Sequence, residues 1–77
     1  MSEMLYRTHD ANIITWLMSQ DYPIEKIEKI NNQLYITFKN DGTISESIKK
    51  FINGGEVSAQ KLLNARDNLK RILHHYR

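Results

Sequence analysis

Residues 58–77 have the spacing of one long amphipathic helix, and this helix is the strongest constraint on the fold. At about 100° per residue, its apolar side chains fall within an arc of roughly 100°, which is the width of one packing face. A core position explains this stripe without any cofactor. The stripe consists of Leu62, Ala65, Leu69, Ile72, Leu73 and Tyr76.

The same helix concentrates positive charge. It carries five basic side chains against the single acid Asp67, a net charge of +4, whereas residues 1–57 carry six basic and eight acidic side chains, a net charge of −2. Arg66, Lys70 and Arg77 follow one flank of the apolar stripe. Such a row of cations is typical of a phosphate-binding surface, of a surface for an acidic protein, or of an ordinary solvated helix face.

A length of 77 residues accommodates one small domain, residues 1–77, which buries only roughly 60% of the surface of its unfolded chain. The sequence has no cysteine, which excludes disulfides and favours a reducing compartment. The longest apolar run, Trp16-Leu17-Met18, is far shorter than the ~20 residues that span a bilayer. The first residues lack the pattern of a signal peptide. We therefore expect a cytoplasmic protein without membrane association.

The first third of the sequence predicts a strand followed by a helix. Met4-Leu5-Tyr6-Arg7 has the composition of a short strand. Thr8 or Asp10 supplies an N-cap oxygen, and apolar residues then recur at helical spacing as far as Gln20. The helix should end there, because Pro23 biases the residue before it away from helical geometry.

Residues 24–30 are ambiguous, because their apolar side chains repeat every third position, which fits neither a helix nor a strand. Asn31-Asn32-Gln33 is a plausible hairpin connection to the next segment, which favours a strand with a bulge near Lys26 or Ile27. A short helix is the competing interpretation. The following segment, Leu34-Tyr35-Ile36-Thr37-Phe38-Lys39, alternates clearly and predicts a strand.

Two helices complete the order. Asp41-Gly42 predicts a turn, and Thr43-Ile44-Ser45-Glu46 has the spacing of a capping box. Gly54-Gly55 ends that helix, and Ser58 caps the last one. The predicted order is β-α-β-β-α-α, an α+β fold in which the helices pack on a small antiparallel sheet.

These segments resemble a family of short domains from bacteria, archaea and phages that is catalogued only as a domain of unknown function. The resemblance covers nearly the whole chain and implies a setting on phages or mobile elements, with no activity or binding residue to carry over. The segments that resemble it are Tyr6-Arg7-Thr8-His9-Asp10, residues 34–38, Phe51-Ile52-Asn53-Gly54-Gly55, residues 57–65 and residues 69–73.

No residue cluster predicts catalysis or metal binding. Thr8-His9-Asp10 contains a hydroxyl, an imidazole and a carboxylate, but neighbours at a helix start point apart, and capping requires these residue types. Asn53-Gly54-Gly55 follows a helix, whereas a phosphate loop precedes one. His74 and His75 lie ~100° apart on a helix and do not chelate one ion. We expect no enzyme, no cofactor, no metal site and no small-molecule substrate.

The first helix carries no charge from Ala11 to Gln20, and its apolar arc is roughly 220° wide, more than one packing face requires. Such a helix is either central within the domain or part of an interface. Tryptophan and methionine are enriched at interface cores, where charge is depleted. The residues predicted for an interface are Ile13, Trp16, Met18 and, on the last helix, Leu63.

Two functional hypotheses follow. The first is a non-enzymatic interaction module that self-associates, as a dimer for example, or binds a protein partner through the first helix. The alternative is a small nucleic-acid-binding accessory protein that uses the last helix. The residues predicted for nucleic-acid binding are Lys61, Arg66, Lys70 and Arg77.

Overall fold

The computed structural model describes residues 4–76, so Arg77, predicted to bind nucleic acid, lies outside the described residues. The order β-α-β-β-α-α is confirmed. The elements are β1 (Met4–Thr8), α1 (Ala11–Ser19), β2 (Ile24–Ile30), β3 (Gln33–Asn40), α2 (Ile44–Ile52) and α3 (Ala59–His75).

The three strands form one antiparallel sheet in the order β1-β3-β2. Tyr6 of β1 lies opposite Phe38, and Ile27 of β2 lies opposite Ile36. The ambiguous segment is therefore a strand, and its register shifts between Ile24 and Lys26. This irregularity explains the spacing of Ile24 and Ile27, because an extra residue returns Ile27 to the buried face. Ile30 follows in regular register on the other face and is exposed.

The hairpin between β2 and β3 turns through Asn31 and Asn32. Their φ angles are 51° and 66°, and Ile30 pairs with Gln33 across the turn. Two consecutive positive φ angles are typical of a type I′ turn, whose twist matches that of the strands. The predicted hairpin connection is therefore confirmed. Asparagine suits it because this residue tolerates a left-handed backbone better than most others.

The sheet buries one face beneath the helices. Leu34, Ile36 and Phe38 belong to the hydrophobic core, as the alternation of β3 predicts. On the other face, the guanidinium carbon of Arg7 lies 4.4 Å from the centre of the Tyr35 ring, and His9 meets the same ring edge-on. Tyr35 is therefore half-covered by its neighbours and offers no free aromatic platform.

The ends of α1 are formed by side-chain and backbone capping. Asp10 accepts hydrogen bonds from the backbone N–H groups of Asn12 (2.9 Å) and Ile13 (3.2 Å), which makes it the N-cap. At the other end, Asp21 adopts a φ of 63°, and the N–H of Tyr22 donates to the carbonyl of Leu17. This is a Schellman arrangement with aspartate in the position that glycine usually takes.

Both other helices pack on α1, and α3 runs in the opposite direction to it. Lys61, near the start of α3, bonds Asp21 just beyond the end of α1. Trp16 contacts Ser47 and Phe51 of α2, so α2 covers another side of α1. With the sheet beneath it, α1 is the central element of the domain.

The start of α2 differs from the predicted capping box. Thr43 is the N-cap residue, but its side chain makes no capping bond to the helix, and its hydroxyl donates instead to the carboxylate of Asp41. Asn40 Oδ1 accepts from the N–H of Ile44 at 3.4 Å. The predicted capping box is therefore wrong. Asn40 and Asp41, which precede the helix, accept the hydrogen bonds from Ile44 and Thr43 instead.

Thr43 also affects an ionisation. Its hydroxyl and its backbone N–H both donate to Asp41, and these bonds lower the pKa of that carboxyl below its ordinary value. Because the Thr43 hydroxyl uses its hydrogen in the bond to Asp41, Thr43 Oγ1 is the acceptor for the Tyr22 hydroxyl at 2.6 Å. A chain of two hydroxyl groups thus connects the end of α1 to the turn before α2.

Gly54 terminates α2 with a φ of 78°, as predicted. The next residue, Gly55, donates its N–H to the carbonyl of Lys50. Among the described residues, no helix is long and apolar enough to cross a membrane.

Candidate interaction surface

Trp16 lies inside the domain. Its side chain is only 3% exposed, its Nε1–H donates to Ser47 Oγ at 3.0 Å, and its ring stacks on Phe51 with 5.3 Å between centroids. The prediction that Trp16 forms an exposed interface contact is therefore wrong. Its apolar surface and its polar N–H group both have partners within the monomer.

The other predicted interface residues of α1 are also packed inward. Ile13 and Met18 are half-buried and contact the hydrophobic core. The wide apolar arc of α1 is thus explained by its central position, which was the intramolecular alternative. These two side chains keep only part of their surface for any further partner.

Leu63 is placed differently, because 59% of its surface is exposed on α3. At helical spacing, Leu63, Arg66, Lys70 and His74 follow one solvent-facing flank of α3, and all four are exposed. We call these four residues the α3 surface. One residue predicted for a protein interface thus lies beside two predicted for nucleic-acid binding.

The cations of α3 differ in their surroundings. Lys61 forms an ion pair with Asp21 at 3.3 Å, which separates it from the row. Among residues 4–76, no carboxylate lies within ion-pair distance of Arg66, Lys70 or Arg71. A shallow depression lies between Lys70, Arg71, His74 and His75. The C-terminal part of α3 therefore presents cations that form no ion pair within the described residues, although exposed Asp67 lies one turn from Lys70 and Arg71.

The polar residues at the start of α1 are used for structure. The Thr8 hydroxyl accepts from the N–H of Asp10, the Asp10 carboxylate caps α1, and His9 Nδ1 bonds Gln33. Each of the three groups faces a different partner, so they form no nucleophile–base pair. Within the described residues, no group of three His, Asp or Glu side chains is arranged to hold a metal ion.

A half-open pocket is a feature that the sequence interpretation missed. It has a volume of about 360 Å³ and lies between the start of α1, the C-terminal half of α3 and the β2–β3 hairpin. Its lining comes from positions far apart in the chain, which no local motif reveals. The lining residues include His9, Ile14, Lys29, Leu34, Leu69 and Leu73.

The fold and these surfaces define a small α+β domain with three helices on one face of a three-stranded antiparallel sheet. A family model described as a domain of unknown function, DUF5659, matches residues 3–75, and the chain belongs to this family. Searches of curated proteins and of solved structures each found no match.

Proposed function

We propose that this domain is a non-enzymatic interaction module that binds an acidic protein partner through the α3 surface. The observation that carries the proposal is the exposure of Leu63 beside cations that have no ion pair within residues 4–76. A leucine exposed alone is ordinary on protein surfaces. A leucine within a cationic row suits a partner that offers both an apolar contact and carboxylates.

The energetics favour such a mixed contact. Burying a leucine side chain contributes ~1.5–3 kcal/mol, whereas exposed ion pairs contribute roughly 0–1 kcal/mol each. Leu63 would therefore supply most of the affinity. Arg66 and Lys70 would orient an acidic partner and accelerate its association.

Nucleic acid is the second candidate, because unpaired Arg66, Lys70 and Arg71 on one exposed helix also suit phosphates. The apolar side chain of Leu63 has no role in phosphate binding. The described residues of α3 add no exposed Phe, Trp or Tyr ring for stacking bases, since Tyr76 beyond its end is half-buried against the core. These features make the protein partner the better supported candidate.

The biological setting belongs to the proposal as well. The resemblance to domains met on phages and mobile elements makes a protein of the host a natural partner. Self-association is a special case, since residues 1–57 of a second copy carry a net charge of −2.

The test is a titration of ¹⁵N-labelled protein with four defined probes. They are a short acidic peptide containing leucines, polyglutamate of equal length, a short DNA duplex and a short single strand. We expect the leucine-containing peptide to shift the α3 amides most. Leu63→Ser should weaken its binding about tenfold, since ~1.4 kcal/mol corresponds to a factor of ten.

Matched controls separate the contributions. Leu5→Ser removes another half-exposed leucine, on the sheet, and should leave peptide binding unchanged. Arg66→Glu with Lys70→Glu should weaken binding and slow association, whereas Lys49→Glu with Lys50→Glu on α2 should have only a slight effect.

Each other outcome has a defined meaning. Tighter binding of duplex or single strand, with a strong salt dependence and no effect of Leu63→Ser, would establish the nucleic-acid candidate. A dimer in light scattering that Leu63→Ser dissociates would identify a second copy as the partner. No α3 shift with any probe, from a protein that stays monomeric, would contradict the proposal.

A further inference from the structure

The floor of the half-open pocket is apolar and already belongs to the core. Ile14 of α1, Leu34 of β3 and Leu69 of α3 are buried, and Leu73 extends the apolar wall although 45% of its surface is exposed. The volume of about 360 Å³ lies within the range of roughly 300–1,000 Å³ typical of small-ligand sites. Because the three floor residues are almost fully buried, the apolar surface that an apolar chain would cover comes from the wall, where Leu73 is exposed.

The rim of the pocket is polar and carries positive charge. Lys29 stands opposite Leu34 in the sheet, on the face that the helices cover, and it forms no ion pair within residues 4–76. Among residues 4–76, no carboxylate side chain lines the pocket. The charge of the rim therefore complements an anion.

His9 and Gln33 add polar groups to the rim of the pocket. His9 Nδ1 lies 3.2 Å from Gln33 Nε2, and the imidazole meets the Tyr35 ring edge-on with 5.3 Å between centroids. Since Tyr35 lies on the sheet face away from the helices, the charge preference of the pocket rests on Lys29.

We propose that this pocket binds a small amphipathic carboxylate, with its apolar chain against Leu73 above the floor and its carboxylate at Lys29. The pocket volume equals that of about a dozen water molecules in the liquid. A ligand of about ten non-hydrogen atoms, the size of octanoate, fills this space. Lys29 favours a ligand with a negatively charged head group, and the apolar lining favours an aliphatic or aromatic group on the rest of the ligand.

The pocket and the α3 surface use different residues. Leu69 and Leu73 line the pocket, whereas Leu63 and Lys70 do not. Leu73 lies at the border of the two, since it is partly exposed and one helical turn from Lys70. Substitutions at Leu63 and at Lys29 can therefore affect one site without the other, and each proposal can fail independently.

The test follows methyl NMR signals during titration with octanoate, 1-octanol and octylamine. These probes share the chain and differ in the charge of the head group. We expect octanoate to shift the methyl groups of Ile14, Leu34, Leu69 and Leu73 with saturation. It should bind about threefold to fivefold more tightly than octanol, and octylamine should bind most weakly.

Two pairs of variants complete the test. Lys29→Gln should remove the preference for octanoate over octanol, whereas Lys49→Gln, at an exposed lysine of α2, should keep it. Leu73→Asp should reduce octanoate binding more than tenfold, whereas Leu63→Asp, the same change at an exposed leucine of α3 outside the pocket lining, should leave it intact while abolishing binding of the acidic peptide.

The contrary results are equally clear. Equal affinities for octanoate and octylamine, or equal effects of Lys29→Gln and Lys49→Gln, would overturn the assignment of the charge. Shifts scattered over the whole surface, or binding only where octanoate forms micelles, would overturn the site itself. Because Lys29 is exposed, circular dichroism should show that the Lys29 variant keeps its fold.

Discussion

Trp16 Nε1 donates a hydrogen bond to Ser47 Oγ across 3.0 Å, joining α1 to α2 between residues 31 positions apart in the sequence. Ser47→Ala leaves a buried indole N–H without its acceptor, which we expect to lower the free energy of unfolding by ~1–3 kcal/mol. Urea denaturation followed by the fluorescence of Trp16, the single tryptophan, measures this. Ser45→Ala, at an exposed position of α2, should change stability by less than ~0.5 kcal/mol. Equal effects of the two variants would show that the bond stabilises nothing.

The left-handed backbone of Asp21 gives a second prediction. Asp21→Gly and Asp21→Ala both remove the exposed ion pair with Lys61. Only the alanine variant has a Cβ, which is sterically strained at a φ of 63°. We expect the glycine variant to be more stable than the alanine variant by about 1 kcal/mol in thermal or urea unfolding. Indistinguishable stabilities would mean that the α1 terminus relaxes to another conformation.

The lowered pKa of Asp41 predicts a loss of stability in acid. Because the folded-state pKa lies below the unfolded-state value, the ionised carboxylate stabilises the fold above about pH 4, and this contribution disappears as the pH falls through the folded-state pKa. Asp41→Asn should flatten this part of the stability–pH profile, because the amide side chain does not ionise. Its oxygen still accepts from Thr43, so the variant keeps the hydrogen bonds and removes only the titration.

Thr43→Val should act in the same direction by removing the hydroxyl donor, so that the pKa of Asp41 rises toward its ordinary value. Asp67→Asn, on an exposed carboxylate of α3, is the control for removing one charge. If the profile below about pH 4 responds equally to Asp67→Asn, the bonds from Thr43 do not cause the acid sensitivity.

The two glycines after α2 should differ in how they tolerate substitution. A Cβ at Gly55 would lie 2.6 Å from the carbonyl oxygen of Lys50, whereas a Cβ at Gly54 would meet nothing within 4 Å. Gly54→Ala should therefore cost ~1–2 kcal/mol through its positive φ alone, and Gly54→Asn less. Gly55→Asn should be as destabilised as Gly55→Ala, because any Cβ at this position lies too close to backbone atoms of Lys50. Equal rescue at both positions, measured by thermal unfolding, would contradict this distinction.

Much of the fold could be predicted because local patterns determine it. The alternation of β3, the N-cap at Asp10 and the glycine after α2 each depend on neighbours within a few residues. The bulge in β2 was predictable for the same reason, since a disturbed apolar period has few other causes. The capping box failed because Asn40 and Asp41, just before the motif, compete for the same backbone and hydroxyl groups.

The surfaces could not be predicted to the same extent. The charge-free character of α1 indicated either a central helix or an interface, and only the packing of α2 and α3 on it decides that Trp16 is internal. The pocket combines Lys29 with Leu69, which lie on different elements and meet only in the folded domain. Leu63 is the exception, because it is an apolar residue outside the core stripe of α3, and this position alone predicts its exposure.

The strand order β1-β3-β2 has a consequence for vectorial synthesis. β1 is translated first, but its only partner in the described sheet is β3, whose residues emerge from the ribosome roughly 30 positions later. At about 5–20 residues per second, β1 waits for seconds with its hydrogen-bonding groups unpaired. A nascent chain therefore keeps this segment available to chaperones until the hairpin that receives it has formed.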